Sequence, residues 1–529
     1  MQLLEHFASL TLHPKNAQEV KVLILKLAVL GKLTANWRSE NSNIEPISVL
    51  LKKIKVNKSI DFYQLNKNEI PFVIPETWVW SKLGKLCSVQ TGKKDANYGT
   101  DNGEYNFYTC AQKPIKSPTY TFEGESIILP GNGANVGLVT FVNEKFEAYQ
   151  RTYVLNNFSP LYPLYIKTAL EALWKDNLGR QYGSAINYIK IGNITEFKFP
   201  IPPLEEQKEI VRVVEILFKE VEQLEQLTVE RIALKNDYVS SALQQLTSQN
   251  SQKEWQSLQP HFKDFFTEKS TIKKLRETVL QLAVQGKLTA DWRTKNTEVE
   301  HASELLKRIQ KEKAQLIRDK KIPKEKPYPK IDAKQVRYEL PKDWVWCNLG
   351  ESIVLLSGRD LTPNEYSDNE LKYPYLTGAS QIKEDNIILS RWTNTPKVLS
   401  FLGDVLISVK GTIGKTVINK VGEIHIARQI MALRSYNWVE IQFLKLFADS
   451  YLSNLQEASN GIIPGVSREH LLYAEFPLPP LEEQKIIVEK VNALMVLCDA
   501  LEQEVAQSNA YSEQLMQSVL REVFEGEKG

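Results

Sequence analysis

An α+β fold, with two mixed α/β domains that each lead into a long helix, is predicted by three observations. The chain repeats itself: residues 6–38 align with 261–293 at an offset of 255, with 13 of 33 positions identical. Each copy then carries short β-type runs divided by glycine, asparagine and proline turns, at 75–200 and 341–477. Each of these segments ends in PPLEEQK, at 202–208 and 479–485, followed by apolar residues at alternating steps of four and three. A duplication of this length gives two copies of one domain-plus-helix unit, and so two copies of one binding geometry.

Each copy opens with a helix. In the second copy Leu275, Val279 and Leu282 recur at helical spacing, and Gly286 is a good residue to end the helix. The stretch GKLTA at 31–35 repeats at 286–290. A short amphipathic helix follows at 50–54 and 305–309. In copy two it continues into KEKAQLIRDKKIPKEKPYPK, whose charges and prolines read as a mobile tether. The segments after it open with Pro75, Trp78 and Trp80, and again with Pro341, Trp344 and Trp346. Strands are expected at 126–129, 151–155, 405–409 and 429–433, and helices at 164–174 and 439–455, with mainly antiparallel sheet. An extended run at 197–201 or 475–478 then feeds PPLEEQK. Proline is tolerated in a first helical turn, and paired glutamates favour the positive end of the macrodipole.

The helical stripe runs Ile210, Val214, Leu217, Val221, Leu224 in copy one and Ile487, Val491, Leu494, Cys498, Leu501 in copy two. This is a coiled-coil seam, and a helix over 205–246 extends roughly 60 Å. Antiparallel pairing of the two helices is expected, because parallel pairing crowds both globular segments at one end. The expected organisation is a helical region 1–74, a globular domain 75–201, a long coiled-coil helix 202–250, a helical region with basic linker 251–340, a second domain 341–478 and a final long helix 479–529. The approximate two-fold suits the pseudo-dyad of duplex DNA, with the helices as ruler and the domains as readers.

Composition narrows the classes. Net charge is +2, yet 203–246 carries 5 basic against 9 acidic residues and 480–529 carries 4 against 10. The helices would repel phosphates, so DNA is expected at the domains. Residues 341–477 carry 13 basic against 15 acidic residues, so a footprint there has to be local. The 4 cysteines are scattered without a CxxC, and nothing points to metal or haem. No apolar run reaches membrane-spanning length, and MQLLEHFASL lacks the parts of a leader, so a cytoplasmic protein with no membrane contact is expected. The nearest approach to a phosphate loop, Gly411-Thr-Ile-Gly-Lys415-Thr416, has Val409 where the first glycine is required; it reads as a turn between strands. The turn at 131–137 lies at the comparable place in copy one.

The chain resembles the specificity subunits (HsdS) of type I restriction-modification systems. The resemblance covers essentially the whole length and rests on PPLEEQK at 202 and 479, on LAVLGKLTANWR and LAVQGKLTADWR ending at 38 and 293, and on PxxWVWxxLG at 75 and 341. It implies two target-recognition domains, each reading half of an asymmetric split sequence in double-stranded DNA. It also implies helices that dock two methyltransferase (HsdM) subunits, to which restriction/translocase (HsdR) subunits add. The subunit is then not an enzyme, and S-adenosylmethionine, ATP and Mg are bound by partners. No NPPF- or DPPY-type tetrapeptide occurs. A related two-part restriction-modification subunit and a coiled-coil scaffold that reads no DNA are the alternatives.

Base reading needs side chains with paired donors or a donor and an acceptor. In polar, glycine-flanked stretches the candidates are Lys93, Lys94, Asn97, Asn132, Asn135, Arg151, Arg180, Gln181 and Asn187 in the first domain. In the second they are Arg359, Gln381, Arg391, Lys410, Arg428, Gln429 and Arg468. Tyr98, Tyr108, Tyr375 and Trp392 favour core packing over stacking on DNA. Trp37, Trp78, Trp80, Trp292, Trp344 and Trp346 recur at matched positions and read as structural, since sequence readers should differ between copies.

Overall fold

The computed structural model describes residues 16–49, 51, 71–158, 161–177, 188–247, 251–332, 336, 338–458 and 465–525. The chain forms two compact units, one of residues 1–232 with 509–529 and the other of 233–508. The long helices Leu204–Leu246 and Leu481–Glu525 are divided between them. Each unit thus holds the start of one long helix and the end of the other.

In the first unit the helix Asn16–Val29 stops at Gly31, where Gly31 N–H bonds Ala28 O and Lys32 N–H bonds Leu27 O. That pairing leaves Gly31 at φ +70°, a conformation in which any Cβ is strained. Gly286 ends the helix Lys269–Val284 of the second unit in the same way, at φ +71°. Space forbids a side chain at both sites as well: a Cβ would lie 2.7 Å from Pro75 Cγ at Gly31 and 2.7 Å from Pro341 Cγ at Gly286. The helix-ending glycine and the domain-opening proline are therefore in contact in each unit.

Each globular segment enters and leaves through one antiparallel strand pair, Val79–Lys82 with Lys198–Ile201 and Val345–Asn348 with Glu475–Leu478. Between these lies the main sheet. In the first unit its order is Ser88–Thr91, Thr152–Asn156, Phe122–Pro130, Thr140–Ala148, Tyr105–Tyr108, Ile115–Ser117. All neighbours are antiparallel except Tyr105–Tyr108 with Thr140–Ala148. The second unit repeats the start of this order as Val354–Ser357, Ile430–Arg434, Val405–Ser408, Thr416–Ile418. It also repeats the parallel pair, as Tyr373–Leu376 with Ile424–Ile426. The strand continuous over Thr140–Ala148 is broken here into Thr416–Ile418 and Ile424–Ile426.

Strand alternation buries both faces of the sheet. Ile127, Leu129 and Leu155 join a core with Tyr165, Ile166 and Leu170 of the helix Pro163–Asn177, with Val20 and Ile24, and with Ile210, Val214 and Val221 of the long helix. Ile128, Phe146 and Val154 point the other way into a smaller core. The second unit divides Val405 and Ile407 from Leu406 and Val417 in the same manner. Ile487, Val491, Cys498 and Leu501 are buried in its helix-side core, where Leu494 and Val505 pack against it, while Leu217 packs against the first core and Leu224 is half-buried. The early part of each predicted seam therefore serves the core of its own unit.

One expectation is corrected. The run after residue 310 is not a free tether: helix Ala302–Arg318 takes its first part, and the rest lies along the second domain. Ile322 is buried, Asn348 Nδ2 donates to Pro329 O at 2.9 Å, Tyr328 OH donates to Gly350 O at 2.8 Å, and Glu325 pairs with Arg468 at 2.7 Å. Lys313 reaches beneath this strap to the carbonyls of Gly350 and Ile353, and burial pulls its ammonium below the usual lysine range. Lys313 and Glu325 are the charges so engaged, while Lys320, Lys321, Lys324, Lys326 and Lys330 stay exposed along the strap.

The start of each long helix is the point where the repeated motifs meet. Glu206, 1% exposed, accepts from Thr34 Oγ1 at 2.8 Å, Arg38 Nη1 at 2.7 Å and Trp78 Nε1 at 2.8 Å. Glu483, 0% exposed, accepts from Thr289 Oγ1 at 2.6 Å, from Arg293, and from Trp344 Nε1 at 2.8 Å. Both arginines also donate to the carbonyl of the helix-ending glycine, Gly31 or Gly286. The next residue closes the joint. Gln207 Nε2 donates to Pro202 O while its Oε1 accepts from Tyr162 N–H, and Gln484 does the same with Pro479 and Glu440. A buried carboxylate stripped of its partners is costly, whereas a fully bonded one is tolerated. Glu483→Ala is expected to destabilise the chain by about 3 kcal/mol or more, read as a lower denaturant midpoint of the second unit. The exposed neighbour change Glu482→Ala is expected to stay within about 0.5 kcal/mol.

Candidate nucleic-acid interface

The glycine-rich turns lie at one end of each sheet. Residues 131–137 join Phe122–Pro130 to Thr140–Ala148, and residues 409–415 join Val405–Ser408 to Thr416–Ile418. The loop after the first sheet strand arrives at the same end. Close approach requires a glycine there: a Cβ at Gly92 would sit 1.8 Å from Ala148 O, and one at Gly358 2.1 Å from Ala427 O. Lys94 and Arg359 follow, each bonded through its backbone to the strand end.

In the first domain this end gathers Lys93, Lys94, Asn97, Asn132, Asn135 and Arg151. Lys93, Asn97 and Arg151 are exposed, and Lys94 Nζ lies 4.1 Å from the centre of the Tyr98 ring. The Tyr98 hydroxyl, bonded to Thr119 and close to the Lys94 ammonium, is held below the usual phenol range. Asn135 Nδ2 donates to Cys110 O at 2.8 Å, and Gly131 N–H donates to Arg151 O at 2.9 Å, so the turn is tied to its neighbours. Asn132 forms a bridge with Tyr188. Arg180, Gln181 and Asn187 lie outside the described residues.

In the second domain Arg359, Lys410, Arg428 and Gln429 gather at the matching end, all exposed. Arg428 pairs with Asp360 at 2.7 Å, and Val409 N–H donates to Gln429 O at 2.9 Å. Three of these side chains are cations against the single Asp360, so the edge is locally basic although 341–477 is slightly acidic. The other candidates are engaged elsewhere. Gln381 is buried; it accepts from Thr377 N–H and donates to Ile388 O and Ser390 Oγ. Arg468 is held by Leu355 O at 2.8 Å and by Glu325. Arg391 is half-buried, 5.0 Å above the Tyr366 ring and 3.4 Å from Asp368. These contacts hold loops in place.

The aromatic residues divide as their burial dictates. Tyr375 is buried and stacks on His425 at 4.9 Å, and burial lowers the affinity of that imidazole for a proton. Tyr108 is half-buried and donates to Glu144 at 2.7 Å, and Trp392 is half-buried in a strand. Trp78, Trp80 and Trp344 are buried, while Trp37, Trp292 and Trp346 are half-buried. The Lys415 ammonium of the phosphate-loop look-alike donates to Ala379 O at 3.3 Å and Ile382 O at 3.0 Å, so it serves the backbone of its own domain. Among the described residues no group of three His, Cys, Asp or Glu side chains is placed to hold a metal ion, and no helix is long and apolar enough to cross a membrane.

Two stretches, residues 75–231 and 341–508, match the model of the type I restriction modification DNA specificity domain. The matches cover more than half of the chain and take in both sheets with their exit helices. The chain belongs to that family. It is 27% identical over 545 residues to the type I restriction enzyme EcoAI specificity subunit of Escherichia coli, covering 92% of this chain and 90% of the relative. The EcoEI specificity subunit of the same species is 25% identical over 550 residues, with the same coverage of 92% and 90%. Among solved structures, a chain from work on complex assembly and conformational transition of the type I R-M system matches with a TM-score of 0.50 at 18% identity, covering 86% of this chain and 99% of that one. That likeness is one of fold. The chain is a type I specificity subunit with two recognition domains, and its relatives are specificity subunits.

The four cysteines differ in a way that makes this edge measurable. Burial pushes the Cys87 thiol up to about 12 and raises Cys347 and Cys498 too. Cys110 is partly exposed at the interface, its Sγ 3.4 Å from Arg151 O. The thiolate is the reactive form. Iodoacetamide at pH 8, followed by peptide mass spectrometry, is therefore expected to label Cys110 first. Earlier labelling of Cys87 or Cys347 would contradict the burial described.

Proposed function

We propose that this subunit is the non-catalytic, sequence-reading component of a DNA methyltransferase and restriction complex. Each recognition domain reads one half of an asymmetric, interrupted duplex target. The long helices set the spacing and dock methyltransferase subunits, to which restriction/translocase subunits add. Adenine methylation with S-adenosylmethionine, and cleavage driven by ATP and Mg, belong to those partners, in the cytoplasm.

The observation that carries this reading is the repetition of one frame beneath two different edges. The buried glutamate joint, the strand pair and the start of the sheet order recur, while the exposed side chains at the turn end differ: Lys93, Asn97 and Arg151 in one domain, Arg359, Lys410 and Gln429 in the other. A scaffold with no ligand at those ends has no use for a fixed frame with divergent tips. The long helices add a second support. In the first unit they expose Leu227, Val229 and Tyr511, and in the second Leu234, Tyr238 and Val496. Apolar side chains left open on otherwise acidic helices fit surfaces covered by protein partners.

Selection from a randomised duplex library, using the full chain with its methyltransferase partner, is expected to enrich one split motif with unlike halves. Replacing residues 75–201 by another recognition domain is expected to change only one half of it, and the enriched duplex is expected to slow alkylation of Cys110. Equal retention of every duplex across several salt concentrations would overturn the proposal, because only the sequence-independent phosphate contribution would remain.

A further inference from the structure

The two edges can be matched position by position through their hydrogen bonds, each within its own domain. Gly131 N–H donates to Arg151 O and Val409 N–H to Gln429 O, both at 2.9 Å. Ile189 N–H donates to Gly131 O at 2.9 Å, as Val466 N–H does to Val409 O at 3.0 Å. On the other side, Tyr149 N–H donates to Tyr108 O at 3.0 Å and Ala427 N–H to Leu376 O at 2.9 Å. Gln150 and Arg428 therefore share one position, and Arg151 and Gln429 share the next. The same two residue types stand there in reversed order.

The first position is anchored identically. Gln150 Nε2 donates to Asp95 Oδ1 at 2.7 Å, and Arg428 Nε lies 2.7 Å from Asp360 Oδ2. Each aspartate directly follows the matched Lys94 or Arg359. The second position is presented outward. Arg151 and Gln429 are exposed, and neither side chain has a hydrogen-bond or ion-pair partner among the described residues. Their surroundings also correspond. Cys110 lies against Arg151, and its counterpart Gly378 lies against Gln429, where a Cβ would come within 2.5 Å of Gln429 Oε1.

Arginine carries two parallel donors, which match the O6 and N7 acceptors of guanine in the major groove. Glutamine carries one donor and one acceptor, which match N7 and N6 of adenine. Extending the proposed DNA reading, on which this rests, we infer that Arg151 and Gln429 are matched specificity-determining residues. Arg151 selects guanine in one half-site and Gln429 selects adenine at the corresponding place in the other. The aspartate-anchored residue beside each one fixes the strand-end turn from which the reader projects.

The test uses the full chain with its methyltransferase partner and a randomised duplex library between fixed arms. Arg151→Gln is expected to replace one guanine by adenine in one half of the enriched motif and to leave the other half unchanged. Gln429→Arg is expected to make the converse change in the other half. Each preference should be roughly 5- to 150-fold, the range for one bidentate pair. Arg151→Lys, which keeps the charge and loses the planar fork, is expected to weaken the guanine preference without creating one for adenine. A split motif that survives all three substitutions unchanged overturns the inference and leaves the DNA-reading proposal standing. If the unaltered chain enriches no motif, that proposal fails and the inference fails with it.

Discussion

The structure depends on a buried carboxylate at the foot of each long helix. Glu206 and Glu483 lie away from water, and each takes hydrogen bonds from a threonine, an arginine and a tryptophan that are far apart in sequence. A charge in that setting is stable only when its acceptor sites are filled. The helix ahead of the domain, the strand that opens the domain and the helix that leaves it are thus bound to one atom group. Removing any one of the three donors leaves the others holding an under-bonded anion. The glutamine beside each carboxylate then fixes the first turn of the domain helix.

With the frame held this way, the sheet can be used from both sides. One face is occupied by the domain helix and the long helix, and the other by a second small core. Among the described residues, buried apolar side chains line both faces. At the strand ends the glycines are fixed by close backbone approach, but exposed side chains such as Arg151 and Gln429 can vary with little cost to the core. That is why both candidate edges lie at the turn end, and why they can differ while the strand order does not.

Much of this was legible in the sequence, because it follows from periodicity and from glycine and proline. The helix end at Gly286, the strands near 126–129 and 405–409, the exit strands and the PPLEEQK helix starts are where their residues place them. Periodicity misses the carboxylate joint, although the sequence carries its signal: Thr34, Arg38, Trp78, Glu206 and Gln207 are each identical in the second copy. Polar identity between diverged copies marks groups that must meet. The helix dipole explains exposed Glu205 and not buried Glu206. Composition also could not show that Gln381 and Arg468 are consumed by neighbours, or that Ile322, Glu325 and Tyr328 fasten a charged strap to the domain. For Arg468 and the strap those outcomes depend on partners distant in the chain, and for Gln381 on how a short loop folds back on itself, and local pattern encodes neither.

Each recognition domain enters and leaves through two adjacent strands of one antiparallel pair, so its ends lie side by side whatever its length or content. In genetic terms the domain is a cassette flanked by stretches that encode the same short motifs, PxxWVWxxLG and PPLEEQK, in both copies. Crossover within those stretches would splice a foreign or duplicated cassette in frame, with the connector already matched. New pairings of recognition domains could then arise by recombination, with the buried carboxylate joint kept in each half.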